Sequence, residues 1–158
     1  MIVGQVRPGD RKIATKVSAV LEIKGHNVVT VAPRDNVATL VRVLSDNRIG
    51  AAPVVNEDGR LIGIVSERDV IRGIARHAET VTALPVERLM TTAVRTCSPD
   101  DAIVELMEVM TLRRIRHLPV VRKGTLEGIV SIGDVVKQRL QEAQSELDDL
   151  RSYISSAS

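Results

Sequence analysis

Two short constellations in this chain have the residue types and spacing to hold a phosphorylated sugar: Ser66 with Asp69, and Ser131 with Asp134. Each serine follows a branched apolar run with strand character, and each aspartate comes one turn into what reads as a helix. A helix N-terminus presents unpaired backbone N–H groups and a partial positive charge, which suits phosphate. The serine hydroxyl adds a donor, and a carboxylate accepts well from the two vicinal hydroxyls of a ribose. The plain alternative is a helix cap with a first-turn acid, which needs the same residues at the same spacing. No base is placed by the sequence to activate either serine, so no catalytic set is expected. His26, His77 and His117 with Cys97 lack the spacing of metal ligands, and no metal site is expected. Gly59-Arg60-Leu61-Ile62-Gly63 lacks the phosphate-loop pattern and belongs to a hairpin.

The two constellations are copies of one another. Val28 to Val55 set above Val94 to Val121, at a constant shift of 66, matches Thr30, Pro33, Asp35, Leu40, Val43, Arg48, Ile49, Pro53, Val54 and Val55 with identical residues. One deletion in the second turn restores the match, so that Gly59, Leu61, Gly63, Ile64, Val65, Ser66, Asp69 and Val70 meet Gly124, Leu126, Gly128, Ile129, Val130, Ser131, Asp134 and Val135. The chain is a tandem duplication.

Each repeat reads β-α-β-β-α. In the first, Val28 to Val31 is a strand stopped by Pro33, and Asp35 caps a helix with apolar positions Val37, Leu40, Val41 and Leu44. Pro53 to Val55 is a second strand, Glu57-Asp58-Gly59 a turn, and Leu61 to Val65 a third strand. Ser66 then opens a helix through Val70, Ile71 and Ile74. A three-stranded sheet with two helices is small for independent stability, so the repeats are expected to bury their sheets against each other in an α+β fold. A short helical segment precedes each repeat, at Val17 to Ile23 and Val86 to Met90. The expected divisions are an arm over residues 1–15, a first domain over 16–76, a linker over 77–83, a second domain over 84–138 and a helical extension over 139–158. That extension carries Leu140, Ala143, Leu147, Leu150 and Ile154 in alternating steps of three and four, the seam either of a helix folded back on its own domain or of a contact between two chains.

Composition narrows the partners. Hydrophobic residues make up 44%, yet there is no Phe or Trp and a single Tyr, Tyr153, so the core must be built from Val, Ile, Leu, Met and Ala. The formal net charge of +2, from 22 basic and 20 acidic residues, does not mark a polyanion binder, and no nucleic-acid partner is expected. Cys97 is alone, which fits a reduced compartment, and it reads as a small core residue. No apolar run reaches the length of a signal peptide or of a membrane span, so a soluble, cytoplasmic protein is expected.

The order Thr-x-x-Pro, Pro-Val-Val, Gly-x-Leu-x-Gly-Ile-Val-Ser-x-x-Asp-Val, present twice across roughly residues 17 to 138, resembles the CBS domain, and the whole resembles a small stand-alone prokaryotic CBS-domain pair. That resemblance implies a pseudo-two-fold pair, packed sheet to sheet, that commonly dimerises. It also implies two clefts that take AMP, ADP, ATP, NAD(H) or S-adenosylmethionine, in a non-catalytic module that signals to a separate effector protein. By similarity, each cleft joins the Ser-x-x-Asp of one repeat to the segment entering the other. Cleft A would use Lys24, His26, Ile49, Gly50, Ala51, Arg116, His117, Ser131 and Asp134. Cleft B would use Met90, Thr92, Ile115, His117, Ser66, Arg68 and Asp69, beside the Gly50-Ala51 backbone. The repeats differ before their central prolines, with Arg116-His117 in the second and Gly50-Ala51 in the first. Charge-assisted hydrogen bonds contribute about 1.5–3 kcal/mol each, so cleft A is expected to hold the phosphorylated ligand. Cleft B would then be weaker, use Arg68, or take a bulkier ligand. Arg113 and Arg114 read as a solvated helix end.

Overall fold

The computed structural model describes residues 14–157, so the arm over residues 1–15 lies outside it apart from Ala14 and Thr15. Its helices are α1 (Val17–Lys24), α2 (Val37–Asn47), α3 (Glu67–His77), α4 (Ile103–Arg113) and α5 (Ile132–Ser156). Its strands are β1 (Ala51–Val55), β2 (Leu61–Ser66), β3 (His117–Arg122) and β4 (Thr125–Ser131). β1 pairs antiparallel with β2, and β3 with β4, giving two small sheets in a mixed helix-and-strand fold. The deletion between the repeats falls in the hairpin turns. Lys123 and Gly124 both have positive φ, 49° and 80°, the signature of a tight two-residue turn. The longer first turn closes instead through Gly59, whose N–H donates to the Asn56 carbonyl at 2.9 Å.

The expected third strand shrinks to one paired residue in each repeat. Val31 donates to Pro53 O at 3.1 Å and accepts from Val55 N at 3.0 Å, a parallel bridge. Cys97 repeats this with Pro119 O at 3.0 Å and Val121 N at 2.9 Å. Prolines stop the ladder on both sides. The next rung back needs a donor at Pro53 or Pro119, the next rung forward needs one at Pro33 or Pro99, and a proline has no N–H. Asp35 also departs from its expected role. Asn36 is the cap of α2, its side chain accepting from Thr39 N at 2.8 Å, while the Asp35 carboxylate closes the preceding turn on Ala32 N at 2.9 Å.

Two cores form, and each takes its entering segment from across the molecule. Val17, Val20 and Leu21 of α1 lie in one core with Cys97, Ile103, Leu106, Met110, Leu118, Val120, Val130 and Val135 of the second repeat. Val86, Leu89 and Met90 lie with Val31, Leu40, Leu44, Ala52, Val54 and Val65 of the first. Main-chain bonds mirror the exchange. Val17 N and Ser18 N donate to the carbonyls of Asp101 and Pro99, as Val86 N and Glu87 N donate to those of Asp35 and Pro33. Glycines make room for the arriving side chains: a Cβ on Gly128 would fall 2.6 Å from Leu21 Cδ2, and one on Gly63 2.6 Å from Met90 Sδ. Burial, and then the Asp101 charge, push the Cys97 thiol up to about 12, which leaves it a packing residue.

The stretch expected as a linker is folded. A 3-10 helix covers Ala78–Ala83, with Val81 buried against Gly73 of α3, and a second covers Val86–Arg88. At the other end α5 runs unbroken from the second corner. Only Val135 on it is buried, and Leu147, Leu150, Tyr153 and Ile154 are all exposed. Leu140, also on the seam, is exposed as well, so the seam is not buried against its own domain.

Candidate functional site

The two Ser-x-x-Asp corners are built alike. Ser66 Oγ accepts from Asp69 N at 3.4 Å, and Asp69 Oδ2 accepts from the Ser66 N–H at 2.8 Å and its hydroxyl at 3.0 Å. Ser131 Oγ accepts from Asp134 N at 3.2 Å, and Asp134 Oδ2 accepts from the Ser131 N–H at 2.9 Å. Both are complete capping boxes, so the capping role is realised at each corner. The box engages one carboxylate oxygen, Oδ2, and leaves Oδ1 outside it. Hairpin register then fixes the neighbours. Ala51 lies opposite Ser66, and His117 lies opposite Ser131. Each helix start is tied to the loop before the strand, Glu67 N donating to Gly50 O at 2.9 Å and Ile132 N to Arg116 O at 2.8 Å.

The corners converge on His117. A Cβ at Gly50 would sit 3.2 Å from His117 Cε1 and 3.6 Å from Glu67 Oε2, so the imidazole of one repeat and the carboxylate of the other meet over that glycine. Burial above all lowers the His117 pKa from its ordinary value, and the Lys24 ammonium adds to this while Glu67 and Asp134 oppose it. Lys24, the last residue of α1, crosses from the entering segment. Its Nζ donates to Asp134 Oδ2 at 2.6 Å and to the Ile129 carbonyl at 2.8 Å. Burial by itself would raise the Asp134 carboxyl, but the Lys24 ammonium and the Ser131 amide hold it below the usual carboxylate range.

Of the cleft A residues, Lys24, Gly50, His117, Ser131 and Asp134 are thus brought together. Arg116 is exposed beside them, Ala51 is buried in β1, Ile49 packs on the first core, and His26 is exposed beyond α1. In cleft B, Ser66 and Asp69 hold each other and Arg68 is exposed in the first turn of α3. Met90 covers Gly63, and Ile115 packs on the second core. Thr92 lines a groove of about 780 Å³ between the two hairpin tips, together with Arg60, Lys123 and Thr125. Glu67 was not legible as a site residue, because its counterpart in the second repeat is Ile132 and the duplication gives it no echo. Its place directly after Ser66, on the corner itself, was the available signal.

Two further grooves flank α5. One of about 540 Å³ is lined by Ile132, Val136, Lys137, Leu140 and Gln144, and one of about 440 Å³ runs past Thr15, Ile103, Arg139 and Glu142. Among the described residues no three His, Cys, Asp or Glu side chains gather to hold a metal ion, and no helix is long and apolar enough to cross a membrane.

Comparison with known proteins agrees with this architecture. The CBS domain family matches residues 20–76 and again 86–140. A mitochondrial CBS domain-containing protein of Arabidopsis thaliana is 33% identical over 149 residues, covering 89% of this chain and 72% of that one. The crystal structure of a CBS-domain containing protein from Agrobacterium tumefaciens superposes with a TM-score of 0.78 at 40% identity, covering 82% of this chain and 96% of that one. A CBS domain protein of Pyrobaculum aerophilum, solved in complex with AMP, superposes with a TM-score of 0.67 at 28% identity, over 76% of this chain and 89% of that one. The chain belongs to the CBS-domain family and carries two tandem copies of the domain.

Proposed function

We propose that this CBS-domain pair is a non-catalytic sensor that binds an adenosine-containing nucleotide at its two strand-to-helix corners and reports occupancy to a separate effector protein. The reading rests on one observation: Glu67 of the first corner and Asp134 of the second both lie within electrostatic reach of His117, beside Gly50. At that centre a ligand touches both repeats, so binding changes how they are held together. The AMP bound by the Pyrobaculum aerophilum relative supports an adenosyl ligand in general. Here the ribose hydroxyls fall to the free oxygen of Asp134 or Asp69, and the anionic group to the helix N-termini with Arg116 and His117. AMP, ADP, ATP and NAD(H) all carry that pair of groups, and cleft A, with its cations, is assigned the phosphorylated ligand. A cytoplasmic homodimer is part of the same proposal.

Calorimetry on protein stripped of ligand by unfolding and refolding tests it, with AMP, ATP, NADH and S-adenosylmethionine as titrants. Binding of at least one is expected, and the absence of heat with all four would sink the sensor reading.

A second reading is favoured by α5, whose outer half exposes Leu147, Leu150 and Ile154 along one seam. On that reading the chain is a dimeric scaffold working through this helix, with unoccupied corners. Deleting residues 143–158 and measuring mass by light scattering separates the two: a dimer that dissociates while ligand binding persists assigns α5 to assembly alone.

A further inference from the structure

The two corners share their capping boxes but not their third partner. Beside β4, α1 stays helical to Lys24 and delivers an ammonium onto Asp134 and the Ile129 carbonyl. Beside β2, the entering segment leaves its short 3-10 helix through a turn, and Thr91 alone exchanges main-chain hydrogen bonds with Ile64 at 3.0 and 2.9 Å. Among the described residues no cation pairs with Asp69. The side-chain geometry therefore locks one acid and leaves the other to its box.

We infer that Lys24 makes the Ser131–Asp134 corner selective for phosphorylated over neutral ribosides, by holding Asp134 until an anion draws the ammonium off. This rests on the sensor reading above. A neutral riboside reaching for Asp134 must break the ion pair and leaves the ammonium with only the Ile129 carbonyl. A phosphorylated riboside brings a replacement: the ammonium passes from carboxylate to phosphate, a charge-assisted bond for a charge-assisted bond. The anatomy of α1 permits the exchange. Val17 and Leu21 are buried and anchor the helix body, whereas Lys24 is its last residue. Gly25 follows at φ 98°, and Lys24 is itself exposed at the helix end. His117 lies within electrostatic reach of both Lys24 and Arg116, which would share the phosphate that Lys24 turns toward.

The test measures dissociation constants for adenosine and AMP by calorimetry, in the wild type and in Lys24→Met, each with and without Asp69→Ala to silence the other corner. Removing the ammonium should tighten adenosine about fivefold, the effect of losing one partly exposed ion pair that binding otherwise has to break. AMP should weaken or hold, so that the preference for AMP over adenosine falls at least fivefold, and Lys24→Arg should restore it. Adenosine that binds Lys24→Met no better than wild type overturns the inference. If AMP binds only where Asp69 is intact, and Lys24→Met adds no second site, Lys24 has no such role and the sensor reading survives at the other corner. If neither ligand binds any of these proteins while their thermal transitions stay intact, the inference falls, and the sensor reading rests on ATP, NADH and S-adenosylmethionine.

Discussion

The first and second corners of this molecule are the same device set in different surroundings. Strand, serine, capping box and aspartate repeat almost atom for atom. What differs is the segment that arrives from the other repeat: a helix that ends in a lysine at the second corner, and a short 3-10 helix followed by a single bridge at Thr91 at the first. The comparison teaches that duplication preserved the scaffold, and that the chemistry of each corner was set by a few residues entering from elsewhere. Gly50 and Ala51 against Arg116 and His117 make the same point.

The largest effect should come from the plugs that each repeat lends to the other. Leu21 is 1% exposed in the second core, so Leu21→Ala should destabilise by about 3 kcal/mol, whereas the half-buried, flexible Met90→Ala should cost about 1 kcal/mol, both read from urea unfolding. Equal losses would mean that the two exchanges are energetically alike. Filling the glycines that receive these plugs probes the same difference from the other side. Gly128→Ala should cost about 2 kcal/mol because Leu21 is confined, and Gly63→Ala about 1 kcal/mol because Met90 can re-fold its chain around the added methyl.

Removing the acids comes next in size. Asp69→Ala and Asp134→Ala each open a capping box and should each lower stability by about 1 kcal/mol while the fold stands. Loss of Asp134 should also remove the ion pair with Lys24, so its variant should be the less sensitive to salt concentration. An Asp134→Ala chain that fails to fold would make the acid structural and remove it from any ligand role.

The smallest effect is a pH dependence carried by the second corner alone. The folded-state pKa of His117 lies below its unfolded value of about 6.5. As pH falls the unfolded chain therefore takes up the proton first, so this contribution is whole above about pH 6.5 and drains away as pH drops toward the folded value. His117→Gln should flatten the melting temperature between pH 7 and 5, and a slope that survives the substitution would assign the dependence to another group.

Much of this was legible in the sequence. The duplication aligned both corners before any coordinates, and the deletion marked which hairpin turn would be the tighter. The single-rung third strand was legible too, had Pro33, Pro53, Pro99 and Pro119 been read as missing donors in a parallel register rather than as strand boundaries. The joining of each corner to the segment entering the other repeat came only from the family resemblance, not from the residues themselves. A short apolar pattern at Val17, Val20 and Leu21 says that one face is buried, and nothing local says against which repeat. The resemblance set Lys24 and Asp134 in one cleft, but the direct ion pair between them, across 110 residues, was not foreseen. Nor was the meeting of Glu67 and His117.

The exchange also has a consequence for how the chain comes to be folded. α1 is synthesised before the second repeat, yet the surface it covers is not complete until Val130 and Val135 have been made. Until then the apolar stripe of Val17, Val20 and Leu21 has no native partner, and the first repeat, made early, waits for Val86 to close its own core. Neither half can finish alone, so the polypeptide should acquire its structure late and in a single cooperative step, at the slow pace that long-range closure imposes.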